Sequence, residues 1–485
     1  MIMLFSKIKE FIVKNYLGLF LIFICVSLVV LVSYGFPDSP SPWFDEGISL
    51  GIARSYAEKG IYNMSVGPEQ YVQEKYLMIT TNYPLLIPVA MIFKLFGVGL
   101  WQAKLVMVIY LFIFIFLAYL LIKKYYGFKN ALLSLLLMVF FLPLYGNGKS
   151  VLGEIPGLVF ILGGLLLVDK EKKYQVFLTG LLFGLGAATK PIYLLFVISL
   201  VVSEIWLSLQ KRKFDFKRWA MLGAGGVLPL LIWLATIVPN IFDIQSVYHF
   251  FIYYSNPYNV GASSVIGKNI IRFFTESTPL HFLLLFVTFL IARIIKRKFT
   301  QVEIVLLSFT LLDLWFYLKT AGWYRYFFPS HILLFIFLPN SLSIIFEKIN
   351  YIYIKKYGVT VVVTLLFMAQ ALVLFANINS KLYYNPSPRL MGDLINKMVP
   401  ADVDILIVHN PALAFFVKSD RVWQYLAINP YLTSGKQWFV DGSYPDFVVV
   451  GPGSEMLLTD EKVFEHYRVV AKEGSVSLLK KITSK

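Results

Sequence analysis

Pro42-Trp43-Phe44-Asp45-Glu46-Gly47 sets two adjacent carboxylates just beyond the first long apolar segment of the chain, residues 17–36. That segment is long enough to cross a bilayer. Acids at the edge of a membrane are costly unless something uses them. The side of the membrane they occupy therefore governs how the rest of the chain is read.

Of 485 residues, 58% are hydrophobic and only 15% charged, with a mean hydropathy of +0.70. That balance excludes an ordinary soluble domain and identifies an integral membrane protein. Pro37, Pro40 and Pro42 follow the first segment where a cleavable signal would carry small residues, so it reads as a retained helix. The single cysteine, Cys25, excludes internal disulfides and cysteine metal clusters. Apolar windows predict about eleven spans, near 17–36, 101–122, 128–146, 152–168, 174–189, 191–208, 219–238, 279–295, 301–318, 326–345 and 358–377.

Lysine and arginine orient them. Basic residues crowd the N-terminus (Lys7, Lys9, Lys14) and every second connection, as at Lys170-Glu171-Lys172-Lys173 and Lys211-Arg212-Lys213. The positive-inside rule then makes the N-terminus cytoplasmic and puts residues 37–100 and 239–278 outside. The formal charge of +16 is an orientation signal, and no nucleic-acid partner is expected. An odd number of spans also exports residues 378–485, whose twelve Lys/Arg nearly balance eleven Asp/Glu. Within that stretch, 404–409 and 446–450 read as buried strands, and 467–471 with 475–479 as a hairpin around Glu473-Gly474. Helices are expected near 389–398 and 459–466, and Gly451-Pro452-Gly453 reads as a turn.

The outer loops are more than linkers. Residues 45–59 form an amphipathic pattern with Ile48, Ile52 and Tyr56 on one side. Residues 83–96 are apolar but short for a span and are expected to lie in the interface, as is the aromatic-rich 247–254 around His249.

Taken in order, Asp45-Glu46, Tyr83-Pro84-Leu85-Leu86, Phe96-Gly97, Gly153-Glu154-Ile155-Pro156, Thr189-Lys190-Pro191 and Arg325-Tyr326-Phe327-Phe328-Pro329 resemble the GT-C glycosyltransferase superfamily. The branch they are most similar to holds the protein O-mannosyltransferases and the lipid A aminoarabinose transferases. The similarity runs over residues 10–340, and the Trp-Trp-Asp of the oligosaccharyltransferase branch is absent. The expected fold is thus an α-helical polytopic membrane protein of about eleven transmembrane helices with interfacial helices in its outer loops, GT-C like. A small C-terminal α/β extracytoplasmic domain would follow, dividing the chain at 1–377 and 378–485. The implied setting is a prokaryotic plasma membrane, with the bilayer itself as a partner.

Transfer from a polyprenyl-phosphate sugar needs a base for the acceptor's proton and cations for the departing phosphate. Asp45 is the candidate base; its plain alternative is a helix N-cap. Glu46 either joins catalysis or favours the positive end of a helix. The resemblance makes Glu154 a second acidic site residue, against a solvated helix-end acid. Lys190 and Arg325 are the candidate phosphate binders, with interfacial snorkelling and an aromatic-belt residue as their plain readings. Arg54, Tyr83, His249 and Tyr326 are candidate substrate contacts, although Arg54 more simply partners Glu58. Asp313, within the ninth span, needs a partner, for which Lys319, Arg325 or His331 are at hand. Five dispersed histidines argue against a histidine zinc site. No cofactor is certain: a divalent cation on Asp45, Glu46 and Glu154 is left open.

The leading expectation is an inverting glycosyltransferase moving a sugar from a polyprenyl-phosphate donor to a lipid, glycan or protein acceptor outside the membrane. A transporter or flippase would show ionisable groups at mid-membrane and two related halves. A surface-polysaccharide polymerase or ligase would carry its large loop late in the chain. A non-catalytic scaffold would tolerate loss of Asp45.

Overall fold

A computed structural model describes residues 2–72, 75, 79–238, 242–255, 261–380, 384–419, 421–428, 431–432, 444–451, 454 and 465–482. Helix α1 (Ile2–Ser33) is followed by the proline-rich turn and then α2 (Phe44–Lys59), which begins one residue before the expected helix. Ile48 and Ile52 of α2 are buried as the amphipathic pattern predicts, whereas Tyr56 stays exposed. A short hairpin, β1 (Ser65–Gly67) and β2 (Gln70–Tyr71), follows; its few polar residues gave no strand pattern.

Helix α3 (Tyr83–Phe96) buries Leu85, Leu86, Val89 and Phe93 and leaves Met91, Leu95 and Phe96 exposed. Next come α4 (Leu100–Tyr126), α5 (Phe128–Val139), the one-turn α6 (Pro143–Gly148) and α7 (Glu154–Leu167). The expected span 128–146 is therefore broken. Pro143 lacks an N–H for the ladder of α5 and instead starts a new helix. Helix α8 (Lys173–Thr189) ends at Lys190, and a 3-10 turn (Pro191–Tyr193) leads into α9 (Leu194–Lys211).

Helix α10 (Phe216–Ile237) packs closely on α8. A Cβ on Gly180 would lie 2.1 Å from the Leu222 carbonyl oxygen, and one on Gly225 would lie 2.2 Å from that of Phe177. Only bare backbone lets these helices meet, as small residues do between membrane helices. The second outer segment holds α11 (Ile244–Ser255) and α12 (Ala262–Thr275). Then come α13 (Ser277–Lys296), α14 (Gln301–Lys319), the pair α15 (Tyr324–Leu334) and α16 (Leu338–Phe346), and α17 (Ile352–Asn377).

Among the described residues, six helices are long and apolar enough to cross a membrane: α4, 191–211, α10, α13, α14 and α17. Counting α15 and α16 as one span bent by 52° makes seven, and α1, α3, α5 and α7 contribute shorter apolar stretches. Several expected spans are thus shorter helices than the hydropathy windows suggested.

After α17 the chain builds α18 (Ser387–Met398), β3 (Ile405–Val408), the single turn α19 (Pro411–Ala414) and β4 (Val422–Tyr425). The pair β5 (Ala427–Ile428) and β6 (Tyr431–Leu432) stands apart. Strands β7 (Phe447–Val450), β8 (Tyr467–Glu473) and β9 (Val476–Lys481) complete a five-stranded sheet of order β4-β3-β7-β9-β8. Strand β3 runs parallel to β4 and β7; β9 is antiparallel to β7 and β8. The strands expected at 404–409 and 446–450 and the hairpin at Gly474 are present, and Gly474 takes the left-handed φ of 59° that its turn requires. The helix expected at 459–466 lies almost wholly outside the described residues, as do Pro452 and Gly453.

Candidate active site

The C-terminal region sits directly on α2. A Cβ on Gly47 would lie 2.2 Å from the Ala412 nitrogen and 2.4 Å from the Pro411 carbonyl carbon. Glycine at that position lets α19 rest against the first turn of α2. Further ties surround it: Arg389 grips Asp38 through two hydrogen bonds of 2.7 and 3.0 Å, and the Phe44 and His409 rings lie 4.5 Å apart.

Asp45 stands in the first turn of α2, but it does not cap the helix. The N-cap is Trp43, whose side chain makes no capping bond. The Asp45 carboxylate instead accepts a hydrogen bond from the Arg325 guanidinium. Arg325 opens α15 just after Gly322, which takes a left-handed φ of 68°. Its guanidinium lies 4.7 Å from the Trp43 ring centre and 4.8 Å from that of Tyr326, and donates to the Tyr326 hydroxyl at 3.0 Å. Two aromatic faces thus hold the cation by attraction to their quadrupoles. Both partners reach solvent, at 18% side-chain exposure for Asp45 and 17% for Arg325.

Beside them lies a second, buried pair. Lys190 donates to the Glu154 carboxylate. Three sequence motifs meet here: the Asn82 N–H donates to the Thr189 carbonyl at 3.1 Å, and the Gly153 N–H to the Thr81 hydroxyl at 3.2 Å. Asn82 also caps α3 through the Tyr83 N–H and accepts from the Tyr62 hydroxyl at 2.8 Å. The Tyr193 hydroxyl donates to the Glu154 carbonyl oxygen. Lys190 is close enough to feel the charges of both Arg325 and Asp45, so the four residues form one electrostatic cluster.

Glu46 points the other way. It is fully buried, 3.7 Å from the Lys104 ammonium, and accepts from the Val151 N–H at 3.0 Å. Burial pushes its carboxyl above the usual range, with Lys104 and the Val151 N–H opposing. Its place is a brace between α2, α4 and the turn before α7, which departs from the catalytic role expected for it. Lys104 and Lys149 are two buried ammonium groups that the sequence reading passed over; Lys149 donates to the Tyr34 carbonyl at 2.8 Å. A lysine inside an otherwise apolar run was the available signal at Lys104.

The remaining candidates scatter. Arg54 binds Glu58 at 3.2 Å and the Val417 carbonyl at 3.1 Å, facing the C-terminal region. The Tyr83 hydroxyl lies 3.4 Å from the Pro229 carbonyl, and His249 is exposed beside Tyr248 on α11. Tyr326 alone among the four touches the cluster. Asp313 does not support Arg325: its carboxylate is buried and accepts from the Ser330 hydroxyl. Glu46 does not join Asp45 and Glu154 in that cluster. Each has its own cation, and among the described residues no group of three or more His, Cys, Asp or Glu is placed to hold a metal.

Residues 85–241 match the family model described as dolichyl-phosphate-mannose-protein mannosyltransferase. Among solved structures, ArnT from Cupriavidus metallidurans bound to undecaprenyl phosphate superposes with a TM-score of 0.64 at 14% identity, covering 97% of this chain and 99% of that one. The archaeal oligosaccharyltransferase AglB from Archaeoglobus fulgidus, in complex with an inhibitory peptide and a dolichol-phosphate, gives 0.58 at 11% identity over 92% of this chain and 70% of that one. The chain has the fold of these structures, and residues 85–241 fit that family model.

No curated protein matches this chain in sequence. At these identities the likeness is one of fold, and it spans the C-terminal region as well as the helices. Several apolar helices together with this fold make the protein an integral, multi-pass membrane protein.

Proposed function

We propose that this protein is an inverting glycosyltransferase that moves a sugar from a polyprenyl-phosphate donor to a hydroxyl of a lipid, glycan or protein at the outer face of the membrane. The observation that carries this reading is the meeting of Asp45, Glu154, Lys190 and Arg325 in one cluster, drawn from four separate parts of the chain. The family match and the structures with bound polyprenyl phosphates support the donor class. The lysine asymmetry supports a cytoplasmic N-terminus, about eleven membrane passages and an outward C-terminal domain after residue 377.

The geometry suggests an order of events. Arg325 enters the reaction holding Asp45, and a phosphate offers a guanidinium two charged oxygens in place of that carboxylate. Donor binding would exchange one counter-ion for the other and free Asp45. The acceptor oxygen then attacks the anomeric carbon from the face opposite the phosphate. The carbon–oxygen bond to phosphate breaks, the acceptor proton passes to Asp45, and polyprenyl phosphate leaves with its charge met by Arg325 and Lys190. Glu154 keeps Lys190 aimed, and Glu46 with Lys104 braces the helix that carries Asp45.

The test is transfer from a radiolabelled short-chain polyprenyl-phosphate sugar to native membranes, comparing wild type with Asp45→Asn. Transfer by the wild type and none by the variant is expected. Undiminished transfer by Asp45→Asn would remove the base, and the reading with it.

A further inference from the structure

A cavity of about 940 Å³ lies at the far end of α8 and α9 from Lys190, on the side the lysine asymmetry assigns to the cytoplasm. It is formed by the start of α8, the end of α9, the start of α10 and Gln301. Its volume is within the range of sites that hold lipid- or drug-sized ligands.

The polar groups in its wall divide into two sets. Arg218 and Glu204 are committed to each other through two bonds of 2.7 and 2.8 Å. Arg218 further donates to the carbonyls of Val168 and Lys170, and Gln301 donates to Glu204 at 2.6 Å. Asp169 is held by Lys124 at 2.7 Å, and Asp215 accepts from the Arg218 N–H as the cap of α10. These groups tie helix ends together, and the remaining lining carboxylate, the exposed Glu171, lies 3.8 Å from the Lys211 ammonium. Lys173, Lys213 and Lys217 form the other set: they line the same cavity with no carboxylate within 4 Å among the described residues.

The lining also carries the apolar and aromatic side chains Val176, Leu207, Met221, Trp206 and Trp219. Leu209, Phe214 and Phe216 beside it are exposed apolar side chains, as suits a rim at membrane depth. Ammonium groups, tryptophan and apolar side chains in one wall suit the headgroup, interface and acyl chain of one anionic phospholipid.

We propose that this cavity is a binding site for an anionic phospholipid of the cytoplasmic leaflet, its headgroup phosphate met by Lys173, Lys213 and Lys217 and its upper acyl chain laid against Val176, Leu207 and Met221. The lysines alone would be ordinary orientation signals; the cavity they edge gives them a ligand to hold. The site is separate from the Asp45 cluster and does not depend on the transferase reading.

The test is native mass spectrometry of the full chain released from micelles containing equal phosphatidylglycerol and phosphatidylcholine. The wild type should retain phosphatidylglycerol at least about tenfold over phosphatidylcholine. The triple variant Lys173→Ala, Lys213→Ala, Lys217→Ala should lose that preference, while Lys348→Ala, Lys355→Ala, Lys356→Ala, which removes as much charge from another basic connection, should keep it. Should the first triple fail to fold, Lys-to-Gln changes at the same three positions take its place. Equal retention of the two lipids, or equal loss in both triples, would overturn the site. So would full displacement of the lipid by inorganic phosphate, which would mark an anion site without lipid character.

Discussion

The carboxylate of Asp45, in the first turn of α2, is bound by the guanidinium of Arg325 at the start of α15, 280 residues later in the chain. Each sits at a helix start that another part of the protein fixes: α19 rests on Gly47 behind Asp45, and Gly322 turns the chain just before Arg325. The pairing has a kinetic consequence. Asp45→Asn removes the base and also the charge that competes with donor phosphate for Arg325. Turnover should fall by about 10²–10⁴-fold, the usual worth of a positioned base. Donor affinity, measured by fluorescence of a labelled polyprenyl phosphate, should hold or tighten. Weaker donor binding in this variant would show that Asp45 and phosphate do not exchange on Arg325.

Arg325→Lys keeps the charge but not the plane that lies against Trp43 and Tyr326. The Michaelis constant for donor should rise more than turnover falls. An unchanged constant would move phosphate recognition away from this residue.

Lys190 and Glu154 are both buried, so each is tolerable only because of the other. Lys190→Ala should lower stability by about 3–5 kcal/mol, since it strands a carboxylate away from water. Lys190→Ala with Glu154→Ala together should recover part of that loss, as followed by thermal unfolding in detergent, while transfer stays abolished. Recovery of transfer in the double variant would make the pair structural alone.

How much of this could be read from residues in order? Short-range features could. The 3.6-residue pattern of α2, the strands at 405 and 447 and the turn at Gly474 depend on neighbours, and they stand where expected. Hydropathy also found the helices, but it could not see where Pro143 breaks one or where the chain bends between α15 and α16. Partner choice was out of reach. That Asp45 takes Arg325, Glu154 takes Lys190 and Asp313 takes Ser330 is set by how helices pack, which no local spacing encodes. Gly47 looked like a small residue after two acids, and its reason, the backbone of Ala412, lies 365 residues away.

That glycine yields its own expectation. Gly47→Ala puts a methyl 2.2 Å from the Ala412 nitrogen, a backbone atom with little room to give. Overpacking of this kind costs about 1–3 kcal/mol. The C-terminal region should loosen from α2, seen as faster protease cleavage after residue 377, with turnover falling as Asp45 loses its seat. Unchanged cleavage would show that the two parts can separate without strain.

Lys149 supplies a dependence on pH. It lies in the turn before α7, and burial, helped by the charge of Lys104, lowers its ammonium to about 7 from an ordinary 10.5. Between those values the unfolded chain carries a proton that the folded chain does not, so stability should rise as pH climbs from about 7 toward 10.5. Below 7 both states are protonated and the full cost of the buried charge is present. Lys149→Met removes the titrating group while keeping the stem, and its unfolding temperature should be higher than that of the wild type at neutral pH and flatter above it. A wild-type unfolding temperature that falls across this window, with the variant falling in parallel, would show that Lys149 stays charged in the folded protein.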